Sequence, residues 1–304
     1  MQQQKSEATW KGRLELYLKG MAIGIADSVP GVSGGTIAVM VGIYEELVNS
    51  LKDLNPLRLH TRWGGGLGQF WRNINGGFLL SLLLGILTSL YLAASTVLYL
   101  LDTQYPLMMA FFAGLVFASA WFLQRQVSHW RGGEIGMALL GAAVALIISL
   151  ANPMAGDTSL IYLFFCGVIA ICAMILPGIS GAFILIILGA YDYVLAALRA
   201  LNFPVILVFA SGCAIGLLSF SHLLSWTFLH YRQQTYAFLT GMLAASVLVL
   251  WPWKQIEEGS INFLSPADFE ASTGEPAQIV VVLLLVLLGY AVVAIFEKMT
   301  SSKQ

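Results

Sequence analysis

Charge is what this chain has least of. Lys, Arg, Asp and Glu together make up 10% of its 304 residues, against about 25% in an ordinary soluble domain. Such a deficit excludes a soluble enzyme with a solvated surface. The net charge of -1 excludes a general basic field for nucleic acid. Cysteine is nearly as rare: Cys166, Cys172 and Cys213 lie in apolar runs without metal-ligand spacing and read as small core residues. No Walker A string, HExxH or Cys/His cluster is present, so no metal or cofactor is expected. A secretory signal pattern is missing too, because Asp27 and Pro30 interrupt the first apolar stretch.

What is abundant is apolar side chain, at 58% of residues with a mean hydropathy of +0.81. Several runs reach the roughly 20 residues needed to cross a hydrocarbon core about 30 Å thick. Stretches at about 78–101, 106–124, 135–151, 203–229, 235–251 and 278–297 read as full crossings. Two others, about 20–50 and 167–198, are broken by Pro and Gly.

The broken stretches repeat each other. Gly20 to Thr36 lies over Gly167 to Phe183 without a gap, at an offset of 147 (30 to 177). Pro30 thus falls on Pro177, Gly31 on Gly178, Ser33 on Ser180 and Gly34 on Gly181. The match runs on through Gly42 on Gly189, Tyr44 on Tyr191 and Glu45 on Asp192. A second block at an offset of 127 (85 to 212) sets Gly85 on Gly212, Gly114 on Gly241 and Ser119 on Ser246. The first copy carries extra residues near 52–77, whose Trp63, Trp71 and Arg72 point to the membrane interface. Duplication accounts for this pattern, with one unit over 1–155 and the other over 156–304.

Positive charge chooses the topology. With both broken stretches turning back as hairpins and a cytoplasmic N-terminus, only Arg199 and Lys254 fall outside. With both crossing, Lys52, Arg58, Arg62, Arg72, Arg125 and Arg131 move outside and the bias vanishes. Each unit is then one re-entrant hairpin plus three crossings, an odd number, so the second copy is inverted. The expected fold is an all-α polytopic membrane protein of two inverted-topology repeats, with both termini cytoplasmic, as in secondary transporters with broken helices. The acidic 252–277 loop reads as solvated outer decoration, with Ser265 capping a short helix that starts at Pro266.

Chemistry concentrates at the two tips. Pro30 and Pro177 end one half-helix, and Gly31 and Gly178 permit the turn. The next half-helices start near the midplane with unpaired N–H groups, a ready site for an anion such as phosphate or carboxylate. Ser33, Gly34, Gly35 and Thr36, with Ser180, Gly181 and Ala182, are the candidate donors; tight packing of two hairpins is the structural alternative. Asp27, Ser28, Thr36 and Glu46 have Met174, Ile175, Phe183 and Tyr193 as counterparts, so polar groups gather in the first hairpin. An acid at that depth is costly, which makes Asp27 a candidate for a coupling proton or cation. Glu45 and Asp192 are candidates for the same cavity or for the interface. Arg199 reads as interfacial, and His222 as a core histidine or a proton relay.

Enzyme alternatives fit less well. Gly31-Val-Ser-Gly-Gly35 matches a nucleophile elbow in letters, without the strand–turn–helix context or the Asp and His partners. A rhomboid-type protease would have His222 as its buried base, yet the motif occurs twice and follows a proline each time. Membrane undecaprenyl-diphosphate phosphatases share Pro-Gly-x-Ser but follow it with an arginine. Gly34 and Gly181 stand there instead, removing a bidentate phosphate clamp. A small-anion transporter and a scaffold also remain open.

The string from Asp27 to Ala38, DSVPGVSGGTIA, followed by Gly42-Ile-Tyr-Glu-Glu-Leu, strongly resembles the bacterial polyprenyl-phosphate transporter family, formerly a membrane domain of unknown function. The resemblance covers nearly the whole chain. It implies a flippase of the bacterial inner membrane that returns undecaprenyl phosphate, the lipid carrier of cell-wall precursors, to the inner leaflet. Undecaprenyl phosphate and membrane lipid are the partners it implies, the proton being the partner expected from Asp27, and a homo-oligomer is an open arrangement.

Overall fold

The computed structural model describes residues 10–27, 33–54, 67–257 and 260–301. Ser28, Pro30 and Gly31 of the first tip lie outside them, as does Trp63 of the inserted segment. The chain is a helical membrane protein. Its helices are α1 (Trp10–Asp27), α2 (Gly34–Met40), α3 (Tyr44–Asp53), α4 (Leu67–Asn73), α5 (Gly76–Thr103), α6 (Tyr105–Leu123) and α7 (Gly132–Ser149). They continue as α8 (Leu160–Ile175), α9 (Gly181–Ile187), α10 (Tyr191–Arg199), α11 (Phe203–His230) and α12 (Arg232–Val249). A β-hairpin of β1 (Lys254–Glu257) and β2 (Ser260–Phe263), then α13 (Pro266–Thr273) and α14 (Ile279–Ser301), complete the order.

Every stretch expected to cross is helical. Tyr105–Gln126, Gly132–Ser149 and Phe203–His230 are each long and apolar enough to span a membrane. α12 is less apolar because Arg232, Gln233 and Gln234 open it, but it lies in the core, with Leu239, Met242 and Leu243 fully buried. α6 lies beside it and buries Met109 and Ala110. Leucines on α5, α11 and α14, among them Leu87, Leu207 and Leu284, face outward, as lipid-facing positions do.

Glycine sets how the helices pair. A Cβ on Gly20 would strike the Leu82 carbonyl, and one on Gly85 the Tyr17 carbonyl, so α1 and α5 touch backbone to backbone. The same holds for Gly167 against Phe209 and Gly212 against Phe164 in the α8–α11 pair. These are the same positions at offsets of 147 and 127. In α6–α14, Gly114 meets Val286 and Gly289 meets Phe111; in α7–α12, Gly241 meets Ala138 and Gly141 meets Phe238. Small residues permit this approach where lipid supplies no hydrophobic drive between helices.

Both broken helices turn twice. Gly42 (φ 72°) ends α2 and Gly189 (φ 61°) ends α9, in the left-handed region that favours glycine. The hydrogen bonds there also match: Ile43 N–H to Ala38 (3.0 Å) and Ala190 N–H to Leu185 (2.9 Å). α9 and α10 meet at 109°.

Two expectations need correcting. The broken stretches begin earlier than their apolar cores, at Trp10 and Leu160 rather than near 20 and 167. α1 extends through polar residues held by a Glu15–Lys19 pair at 3.2 Å, one turn apart. The 252–277 segment is also more than solvated decoration. Ser265 does cap α13, accepting from Asp268 N–H at 3.2 Å. However, Trp253 and Phe269 pack with Ala110, Ala277 and Val282 into a small core, and the Trp253 indole donates to the Ala277 carbonyl at 3.0 Å.

Candidate functional site

Breaking a helix leaves the last carbonyls of one half and the first N–H groups of the next without partners. In lipid each such group costs several kcal/mol. Much of that need is met here by joining the two tips. The Ser33 hydroxyl, 1% exposed, caps α2 by accepting from Gly35 N–H at 3.1 Å. It donates toward the end of α8, with the Leu176 carbonyl at 3.2 Å and that of Met174 at 3.4 Å. Tyr44 donates to the Ile175 carbonyl at 3.1 Å. Thr36, fully buried, accepts from the N–H of Gly178 at 3.0 Å.

Asp27 closes the first tip. Its Oδ1 accepts from Gly34 N–H at 2.6 Å, so a carboxylate of the chain sits at the start of α2. There is no room for a side chain beside it. A Cβ on Gly34 would lie 2.5 Å from Asp27 Oδ2, and one on Gly35 2.7 Å from the Ile175 carbonyl.

The second tip is built differently. Met174 and Phe183 replace Asp27 and Thr36, and Tyr191, the counterpart of Tyr44, is exposed. Pro177 and Gly178 are buried; Ser180 is half-buried and Ala182 exposed. Among the described residues, none accepts from the N–H of Gly181 or Ala182, and Ser180 makes no side-chain cap. One helix start thus carries the carboxylate of Asp27, and the other has no such acceptor among the described residues.

The remaining candidates lie away from the tips. Glu45 is at the bundle edge, where it accepts from Arg232 Nη2 at 2.8 Å and from the Tyr236 hydroxyl. Asp192 and Arg199 are exposed at either end of α10. Glu46 accepts from Asn75 Nδ2 at 2.8 Å. His222 places Nδ1 2.8 Å from the Leu218 carbonyl one turn back on α11.

Sequence reasoning missed several residues. Tyr44 was visible only as a residue kept by the repeat, with no sign of its partner. Lys52 Nζ donates to Ser225 at 2.9 Å and Ser225 to Asn49 at 2.8 Å, fastening α3 to α11. Nothing local in the sequence marks that contact.

A bundle in which two broken helices bond tip to tip, one tip carrying an acid, belongs to the class of polytopic membrane proteins with paired discontinuous helices. The particular family follows: the chain belongs to the undecaprenyl phosphate translocase-like family, whose model matches residues 23–265. This is the family that the Asp27–Ala38 string resembles. The chain is 41% identical to the polyprenyl-phosphate transporter of Vibrio cholerae serotype O1, over 94% of this chain and 96% of that protein. It is 32% identical to the polyprenyl-phosphate transporter of Staphylococcus aureus, over 77% of this chain and 85% of that protein. No solved structure matches it.

Proposed function

We propose that this chain is a secondary transporter that carries undecaprenyl phosphate across the bacterial cytoplasmic membrane for lipid-carrier recycling. The substrate class rests on the family and on the names of the two relatives. The mechanism rests on one observation: the Asp27 carboxylate occupies the start of α2, while the equivalent start of α9 has no such acceptor among the described residues.

A helix N-terminus favours negative charge, and the effect fades within the first turn. An incoming phosphate meets the open donors first, at Ser180, Gly181 and Ala182. Protonation of Asp27 then removes the negative charge from the start of α2 and weakens its hold on Gly34 N–H, and the phosphate passes under the control of Ser33–Thr36 as well. The proton is the coupling ion in this scheme, and Asp27 carries it.

Residues 1–155 and 156–304 act as inverted repeats, with both termini cytoplasmic. Glycine contacts in matched registers support the repeat, and the distribution of Lys and Arg supports the orientation. Alternating access is a rocking of one set of helix pairs against the other. The Glu45–Arg232–Tyr236 contact and the Lys52–Ser225–Asn49 contact hold the cytoplasmic side shut in this conformation.

Equilibrium binding to protein in nanodiscs tests the substrate. Polyprenyl phosphate should bind, while the uncharged polyprenol and inorganic phosphate should each bind at least about tenfold more weakly, a difference of about 1.4 kcal/mol. Equal binding of inorganic phosphate would instead mark a small-anion carrier.

A further inference from the structure

We propose that Arg199 receives the phosphate of the transported lipid at the outer membrane face. This deepens the proposed function and rests on it, orientation included. Arg199 lies in the last turn of α10 and is exposed. Among the described residues none pairs with its guanidinium. Asp192 of the same helix is seven residues back, about 10 Å along the axis and beyond contact.

The charge of the surrounding face singles Arg199 out. Gly156 packs on Gly189, and the Lys254 ammonium lies on Tyr105 and the Val249 carbonyl, so the ends of α5, α7, α9 and α12 share one face. Asp157, Asp192, Asp268, Glu270 and Glu275 are exposed on that side. Lys254 is half-buried and already has its contacts within the protein. A lipid phosphate approaching this acidic face finds one exposed cation among the described residues, Arg199.

The side chains beside it set its depth. α10 meets α9 at 109°. Leu198, Leu201 and Phe203 are 49%, 65% and 64% exposed. Leu201 holds a φ of 51°, a left-handed conformation that leucine seldom adopts. Apolar side chains held outward around a guanidinium mark a membrane interface, with the stem in the apolar layer and the charge among headgroups. Arginine also matches a phosphate with two parallel N–H bonds.

Comparison of the two halves shows the charge left free. At the offset of 147 (52 to 199) the counterpart of Arg199 is Lys52, which lies against the far end of α11. Lys52 donates to Ser225 at 2.9 Å, and Ser225 to Asn49 at 2.8 Å. Ala196 stands in the second half where Asn49 stands in the first. The helix position thus keeps its cation and lacks the polar contacts that occupy it in the first half.

Transport of undecaprenyl phosphate presented at the face that carries Arg199 tests this in proteoliposomes. Arg199→Gln should raise the lipid concentration for half-maximal transport about tenfold, the scale of one charge-assisted contact. Its maximal rate should stay within about twofold of wild type, as expected when a docking contact is lost. Arg199→Lys should recover part of the loss. A purely structural role at the end of the α10 dipole would be served equally by lysine and would show in melting instead. Lys254→Met should leave the half-maximal concentration as in wild type. An unchanged concentration in Arg199→Gln, or an equal rise in Lys254→Met, would overturn the role of Arg199 while leaving transport intact. Wild-type protein that moves no lipid would overturn the transport reading and this inference with it. If Arg199→Gln fails to fold, chemical protection of the wild-type protein decides. Polyprenyl phosphate, and not the uncharged polyprenol, should slow modification of Arg199 by an arginine-selective dicarbonyl reagent. Equal modification with either lipid would overturn the assignment.

Discussion

Asp27 Oδ1 lies 2.6 Å from the backbone nitrogen of Gly34, across the break that separates α1 from α2. Its counterpart Met174 can form no such bond with Gly181. Asp27→Asn keeps an oxygen that can accept from Gly34 while removing the charge and the titration. The variant should fold like the wild type, and its transport should lose dependence on a proton gradient. Rates measured in vesicles at two imposed gradients check this; a gradient response of wild-type size would contradict it.

Ser33 and Thr36 hold the tips together and should show it in stability. Ser33→Ala leaves Gly35 N–H and the Leu176 carbonyl unpaired, and Thr36→Val leaves Gly178 N–H unpaired. Each buried group left unsatisfied costs about 1–3 kcal/mol. Thermal unfolding in detergent should fall for both, and Ser33→Thr should recover part of the loss. Ser180→Ala removes a hydroxyl that caps nothing, so it should leave the melting temperature unchanged and reduce binding of the lipid phosphate.

Glu45 and Arg232 should matter for turnover more than for stability. Both are partly exposed, and pairs of that kind contribute about 0.2–1 kcal/mol. Glu45→Lys and Arg232→Glu should each lower transport with little change in melting, and the double exchange should restore part of it. A disulfide between cysteines placed at 45 and 232 should arrest transport until it is reduced. Transport through the oxidised bridge would show that this contact need not open.

Lys254 reports on the cap formed by β1 and β2. Its ammonium lies 2.6 Å from the Val249 carbonyl and 5.6 Å from the Tyr105 ring centre. Burial pushes its pKa down from 10.5 to about 8. Between those values the unfolded chain binds more protons than the folded one, so this residue's contribution to stability rises with pH from about 8 to 10.5. Melting curves across that range should climb more for wild type than for Lys254→Met.

The helices and the tips were legible in the sequence because the membrane imposes length and the duplication imposes register. Pro30 on Pro177 located both breaks, whereas Gly42 on Gly189 stood out only as a position kept by the repeat, with no sign of the turn it makes. The bonds between the tips were not legible: Ser33 meets Leu176 only because α2 and α8 pack side by side, and periodicity is silent about that. Trp253 was lost in an acidic loop, since one buried indole makes no pattern. The ends of α1 and α8 were misplaced because hydropathy tracks the bilayer, whereas a helix continues wherever its backbone bonds continue.

The most direct test of the central claim is flipping of undecaprenyl phosphate in proteoliposomes containing the purified protein. The account predicts protein-dependent loss of outward-facing phosphate, accelerated by a proton gradient, with no free phosphate released. Phosphate release without lipid movement, or lipid movement no faster than in empty vesicles, would contradict it.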